Sequence, residues 1–85
     1  MKPLALTIHR KWFDQIAAGT KTQEFREIKP YWKNRLEGRH YDEVHFRNGY
    51  HQDAPFMRVE YLGYTKNGCY ILQLGKILET LNTLD

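Results

Sequence analysis

The alternation of apolar and polar positions along the chain predicts a protein built mainly from β-strands. Alternating stretches, or stretches rich in β-branched and aromatic residues, occur at residues 4–8, 22–28, 43–47, 56–65 and 69–74. Asn67-Gly68 lies between the last two stretches and is a strong signal for a hairpin turn. In the third stretch, Val44 and Phe46 alternate with polar residues and form its expected inward face.

Two helical segments are predicted between the early strands. The principal helix, over residues 12–18, carries four apolar side chains on one face: Trp12, Phe13, Ile16 and Ala17. We expect this face, including Trp12, to be buried against the sheet. Gly19 suits the left-handed conformation that ends a helix. Pro30 stops the second strand and begins a short helical turn over residues 31–36.

The end of the chain supports two interpretations. Ile77, Leu81 and Leu84 lie at helical spacing, whereas Ile77-Leu78 alone would extend the sheet. Five strands with early helices favour a small closed or nearly closed barrel, because closure removes exposed strand edges. The predicted fold class is therefore α+β, mainly β.

Composition narrows the class of protein. The 85 residues form a single domain, residues 1–85, and 41% of them are hydrophobic, which is enough for a core. Cys69 is the single cysteine, so an intrachain disulfide is excluded, and no cysteine–histidine spacing suits structural zinc. We find no membrane-length apolar run and no signal-peptide pattern. We therefore expect a cytoplasmic protein without membrane, metal or cofactor.

Basic residues are concentrated in the first half of the chain. Residues 1–40 hold nine Lys and Arg against four Asp and Glu, whereas residues 41–85 hold four against six. A basic half with interleaved aromatics is typical of a nucleic-acid-binding surface, although small soluble domains without that function carry similar imbalances. The basic residues that could line a groove are Arg10, Lys11, Lys21, Arg26, Lys29, Lys33, Arg35 and Arg39. The aromatic residues that could stack on bases are Trp12, Tyr31, Trp32 and Tyr50.

Residues 19–26, with the sequence GTKTQEFR, combine a turn with the start of a strand. Because side chains alternate along a strand, Glu24 and Arg26 point to one side, with Lys21 at the turn above them. A lysine in such a place binds phosphate as a point charge or acts as a nucleophile or base. Whether Glu24 pairs with Lys21 or with Arg26 decides between these roles, since a carboxylate beside the lysine favours the charged ammonium.

A helix followed by the pattern G-x-K-T-x-E-x-R resembles the ASCH family, a branch of the PUA-like folds. The resemblance covers most of the chain, including residues 29–32, 46–50 and 74–78. It implies a small PUA-like β-barrel of about five or six strands, with one principal helix after the first strand and a helical turn after the second. It also implies an RNA- or nucleotide-binding cleft framed by Lys21, Glu24 and Arg26.

The same resemblance implies an enzymatic alternative. Some ASCH proteins are small amidohydrolases that remove the acetyl group from N4-acetylcytidine, and their motif lysine matches Lys21. This sequence departs from those enzymes in having Glu24 where they have a catalytic threonine; the candidate catalytic residues are Lys21 and Glu24. A ribonuclease activity has also been attributed to a stand-alone ASCH domain. The histidines that could serve as its acid and base are His9, His40, His45 and His51.

Further ligand-binding candidates lie outside the motif. They are Arg10, Lys11, Trp32, Arg47, Asn48 and Tyr50. Arg47-Asn48-Gly49-Tyr50 combines an arginine, an amide and an aromatic in one turn, which suits a base edge. The expected ligand is RNA or a nucleotide-like small molecule. A protein-interaction module that presents its basic face to an acidic partner is the second alternative, and we expect a monomer or weak homodimer.

Overall fold

A single five-stranded sheet and two short helices make up the computed structural model, which describes residues 2–83. The elements in chain order are β1 (Leu4–Thr7), α1 (Arg10–Ala17), β2 (Gln23–Arg26), α2 (Pro30–Leu36), β3 (Glu43–Arg47), β4 (Phe56–Lys66) and β5 (Tyr70–Leu81). This arrangement confirms the predicted α+β, mainly β class, the five strands and the positions of both helices. Within residues 2–83, neither helix has the length and apolar content that a membrane-crossing helix needs.

The sheet is an open half-barrel with the strand order β1-β3-β4-β5-β2. β1 runs parallel to β3, and the other three strand pairs are antiparallel. In the described part of the chain, β1 and β2 are the two edges and do not pair with each other. The closed barrel that would remove all exposed edges is therefore not formed, and the gap between β1 and β2 stays open.

The core lies on the concave side of the sheet under α1. The predicted inward pair Val44 and Phe46 is fully buried, and α1 contributes Phe13 and Ile16. Trp12 is 38% exposed, so the prediction that it is buried with Phe13 is wrong. Ala17 is exposed as well. The reason is geometric: consecutive helix residues point about 100° apart, and a helix of two turns buries only a narrow stripe.

The C-terminal tail continues the sheet. β5 extends through Leu81, which lies opposite Phe56 at the start of β4, so the helical interpretation of the tail is wrong. The long partner strand β4 decides the outcome, because it offers backbone hydrogen bonds along the whole tail. Leu84, which was part of the helical pattern, lies outside the described residues. β5 begins at Tyr70 rather than residue 69, and β2 is shorter than the predicted 22–28.

Candidate functional site

A cleft of about 680 Å³ opens where the two sheet edges approach each other. It lies between the end of β1, the start of α1, β2, α2 and the turn after β3. The lining residues are 7–9, 12, 24–27, 29, 32 and 48–50. The cleft therefore occupies the place where a fifth strand pairing, between β1 and β2, would have closed the barrel.

A buried charge cluster lies beside this cleft. Glu24 is 6% exposed and is the one charged residue that is buried among residues 2–83. Its Oε2 accepts a 2.7 Å hydrogen bond from Arg26 Nη2, and its Oε1 lies 3.5 Å from Lys21 Nζ. Glu24 therefore pairs with both cations, and the three side chains together carry a net charge of one positive unit.

Local backbone geometry brings the three residues together. The alternation of β2 turns Glu24 and Arg26 inward, while Phe25 between them is 49% exposed. Gly19 has a φ of +81°, which confirms the predicted left-handed residue after α1. The backbone N–H groups of Thr20 and Lys21 donate to the Gln15 carbonyl, which holds Lys21 over the start of β2.

Arg26 also bridges the open gap of the sheet. Its Nη2 donates a long hydrogen bond of 3.4 Å to the Thr7 carbonyl on β1, the opposite edge. The guanidinium carbon lies 5.0 Å from the centre of the Trp32 ring, a cation–π contact. Its Nε is buried and has no hydrogen-bond partner among the described residues. Arg26 is thus both a structural bridge and a wall of the cleft.

Two indole rings line the cleft, one from each helix. α2 contributes Trp32, as the sequence predicts, and α1 contributes Trp12, which the sequence assigns to the core. Lys21 Nζ lies 5.1 Å from the Trp12 ring centre and 5.0 Å from that of Phe25. Lys11 Nζ lies 4.8 Å from the same Trp12 ring. Trp12 is therefore held between cations at the mouth of the cleft rather than in the core.

The turn after β3 supplies part of the cleft wall. Asn48 donates its side-chain amide to the Ile8 carbonyl at 3.0 Å, which fixes the turn against the end of β1. Tyr50 lines the cleft and is 93% exposed. Arg47 does not line the cleft, because its guanidinium lies over the Phe56 ring at 4.7 Å. One of the two N–H groups of the Asn48 amide therefore serves the fold.

The structure brings together most, but not all, of the predicted site residues. The cleft lining includes five of them: Glu24, Arg26, Trp32, Asn48 and Tyr50. Lys21 and Lys11 lie beside lining residues. Arg10 is not in the lining and forms an ion pair with Asp14 at 2.8 Å. The lining residues outside the predicted set of ligand-site residues are Thr7, Ile8, His9, Trp12, Phe25, Glu27, Lys29 and Gly49.

The cleft contains few side chains that could act as an acid, a base or a metal ligand. His9 is the one histidine in the lining. His45 instead lies 3.0 Å from Glu43 on the opposite part of the sheet, where hydrogen bonds from Arg58 and His45 hold the pKa of Glu43 below its usual value. Among residues 2–83, no group of three His, Cys, Asp or Glu side chains is placed to hold a metal ion.

Comparisons with protein-family models, curated proteins and solved structures gave no match to this chain. The ASCH resemblance therefore stays a prediction that rests on the motif and its register. The features of the cleft that bear on function are its two indoles, the buried ion-pair cluster beside it and its position at the open edges of the sheet.

Proposed function

We propose that this protein binds RNA or a nucleotide-like ligand in the cleft between β1 and β2, as a small PUA-like domain of the ASCH type. The observation that carries the proposal is that two indole rings line one cleft and a net-positive cluster lies beside them. Trp12 and Trp32 supply the rings, and Lys21, Glu24 and Arg26 supply the cluster. The volume of the cleft, about 680 Å³, is typical of ligand sites.

The chemistry of this lining suits a base with an attached phosphate. Stacking a base on an aromatic side chain contributes about 1–3 kcal/mol and tolerates every base, because each has a π-face. The excess positive charge beside Arg26 attracts a phosphate group and adds a salt-dependent contribution. The unpaired backbone groups along the edges of β1 and β2 offer donors and acceptors for the rim of a base.

The test is a residue-resolved NMR titration of labelled protein with a short single-stranded RNA in moderate salt. We expect saturable shifts at Lys21, Glu24 and Arg26 and at the indole N–H groups of Trp12 and Trp32. Diffuse or absent shifts would contradict the proposal and favour a protein-interaction module. Migration of the RNA on a gel before and after the titration reports any cleavage in the same sample.

Matched variants separate stacking from general destabilisation. Trp32→Leu should weaken RNA binding by about fivefold to a hundredfold, the equivalent of one lost stacking contact. Tyr64→Leu is its control, because Trp32 and Tyr64 are both half-buried aromatics packed against the core and Tyr64 lies outside the cleft. Equal losses in the two variants would show that the affinity reports folding rather than the cleft.

Hydrolysis of a modified nucleoside is the second candidate function. The observation in its favour is the position of Lys21, the counterpart of the motif lysine of the ASCH amidohydrolases, beside the cleft with its side chain only 13% exposed. Incubation with N4-acetylcytidine, followed by chromatography for cytidine, tests it directly. Product that forms with the original protein and disappears with Lys21→Met would establish the enzyme. Ligand shifts without product would leave binding alone.

A further inference from the structure

A second cleft lies at the other end of β1. It has a volume of about 510 Å³ and is formed by the start of β1, the outer face of α2 and the loop that follows α2. Its charged lining residues are Lys2, Arg35 and Arg39, with His40 beside them. No carboxylate belongs to this lining. An all-cationic cleft of this kind attracts anions, and phosphate in particular.

The cations of the second cleft are not neutralised by the fold. Within residues 2–83, none of Lys2, Arg35 and Arg39 forms an ion pair with a carboxylate. Arg35 lies over the Tyr31 ring at 4.6 Å, and Arg39 Nε donates to the Asn34 carbonyl at 3.1 Å. These contacts orient both guanidinium groups without neutralising their charge. The arrangement is suited to a ligand that brings negative charge of its own.

The two clefts differ in charge. The first is lined by two carboxylates, Glu24 and Glu27, and by two permanent cations, Arg26 and Lys29. The charges within the lining therefore balance, Lys21 beside the lining adds one positive charge, and the distinctive groups of this cleft are its indoles. The second has cations alone. A nucleic-acid strand needs both kinds of site, since its bases are aromatic and its backbone carries one negative charge per nucleotide.

The two clefts share the same two elements. β1 lines the first with Thr7 and the second with Leu4, and these residues lie about 10 Å apart along the strand. α2 lines the first with Trp32 and the second with Tyr31. The two rings are in edge-to-face contact, with their centres 4.9 Å apart. An aromatic ridge therefore joins the clefts along one side of the molecule.

We propose that the two clefts form one track for single-stranded RNA, with a base in the first cleft and the phosphates of neighbouring nucleotides in the second. This inference rests on the proposed function and adds that the ligand is a strand rather than a single nucleotide. At about 3.4 Å per stacked nucleotide, no more than about three nucleotides cover the distance between the clefts. Four nucleotides are therefore enough to occupy both.

The experiment compares ligand length and charge by tryptophan fluorescence titration. The probes are AMP and UMP, and oligoadenylates and oligouridylates of two, four and six nucleotides. We expect affinity to rise roughly tenfold or more from the mononucleotide to the tetranucleotide and to change little beyond it, because the added phosphates reach the second cleft.

Substituting the cations of the second cleft tests whether the gain in affinity with ligand length arises there. In R35Q/R39Q, the tetranucleotide should lose most of its advantage, while mononucleotide affinity stays within about twofold because the first cleft is untouched. The slope of log affinity against log salt should fall by about 0.7 for each phosphate contact removed. R47Q is the control, since Arg47 is another ring-stacked arginine and lines neither cleft. Lys2→Gln repeats the test at an exposed residue that forms no ion pair within residues 2–83.

The outcomes distinguish the two proposals. Mononucleotides that bind in the first cleft without any gain on lengthening would overturn the track and leave the proposed function intact. A loss in R35Q/R39Q no larger than that in R47Q would overturn it as well. Absence of binding by every nucleotide and oligonucleotide would overturn both proposals together.

Discussion

Replacing Glu24 by Gln tests whether the buried ion-pair cluster holds the site together. The substitution keeps the size and shape of the side chain and removes its charge. Glu24 is 6% exposed, and its two partners, Lys21 and Arg26, have side chains that are 13% and 18% exposed. The variant therefore leaves two poorly solvated cations without their shared carboxylate, in a place where water replaces it only in part.

The expected loss of unfolding free energy is about 3 kcal/mol, because removing one partner of a buried ion pair typically costs 3–5 kcal/mol and this cluster keeps some contact with solvent. The Coulomb attraction between Lys21 and Glu24 has a magnitude similar to this expected loss. Unit charges separated by 3.5 Å interact by about 5 kcal/mol at an effective dielectric constant of 20, before desolvation is subtracted. Lys21→Met should cost less than Glu24→Gln, since Glu24 then keeps its 2.7 Å bond to Arg26.

Urea unfolding followed by tryptophan fluorescence and circular dichroism measures these differences. Glu27→Gln is the matched control, because Glu27 is also a glutamate of this segment and pairs with Lys29 at 3.2 Å. Their side chains are 76% and 60% exposed, so the control should lose no more than about 0.5–1 kcal/mol. Equal losses in Glu24→Gln and Glu27→Gln would refute the reasoning, since burial would then make no difference to the pair.

Three further predictions concern the rest of the fold. Phe13→Ala should lower the unfolding free energy by about 3–5 kcal/mol in urea titrations, because Phe13 is 1% exposed in the core. Hydrogen bonds from the Tyr70 hydroxyl and a lysine hold the pKa of Glu37 below its usual 4.5. The contribution of Glu37 to stability is therefore complete above pH 4.5 and is lost as the pH falls through its lower pKa in the folded protein. Thermal melts across this pH range should show a smaller loss in Glu37→Gln than in the original protein. Gly75→Ala should cost about 1 kcal/mol, since the new methyl group displaces the end of the Glu60 side chain from its hydrogen bond with the Lys76 N–H, and the substitution should cost less in a Glu60→Ala background.

Local sequence patterns were sufficient for the features that depend on neighbouring residues. The alternation around Val44 and Phe46 predicts their burial, and Gly19 predicts its own left-handed backbone. The two-residue spacing of Glu24 and Arg26 predicts that they share a face. Each of these properties follows from the period of a strand or the end of a helix, and the structure confirms all of them.

Features that depend on distant parts of the chain were not predictable in this way. Trp12 lines a cleft because the sheet beside it is open, and that opening follows from the strand order rather than from the sequence of α1. Thr7 lines the cleft for the same reason, since β1 is an edge. The tail at Leu81 is a strand because it lies opposite Phe56, more than twenty residues earlier. No local pattern in either segment contains that pairing.

Arg26 connects the open form of the sheet to the chemistry of the cleft. The same guanidinium neutralises Glu24, reaches the Thr7 carbonyl across the gap and contacts the Trp32 ring. A substitution of Arg26 therefore changes the width of the gap and the charge of the site together, and a loss of binding in that variant has two explanations. Within residues 2–83, Trp32 contacts the cluster only through its cation–π contact with Arg26. Among the described residues, it forms no side-chain hydrogen bond to β1. Its replacement removes stacking while the bridge from β2 to β1 remains, which is why Trp32→Leu, rather than an Arg26 variant, tests whether the open edges of this half-barrel form a binding site.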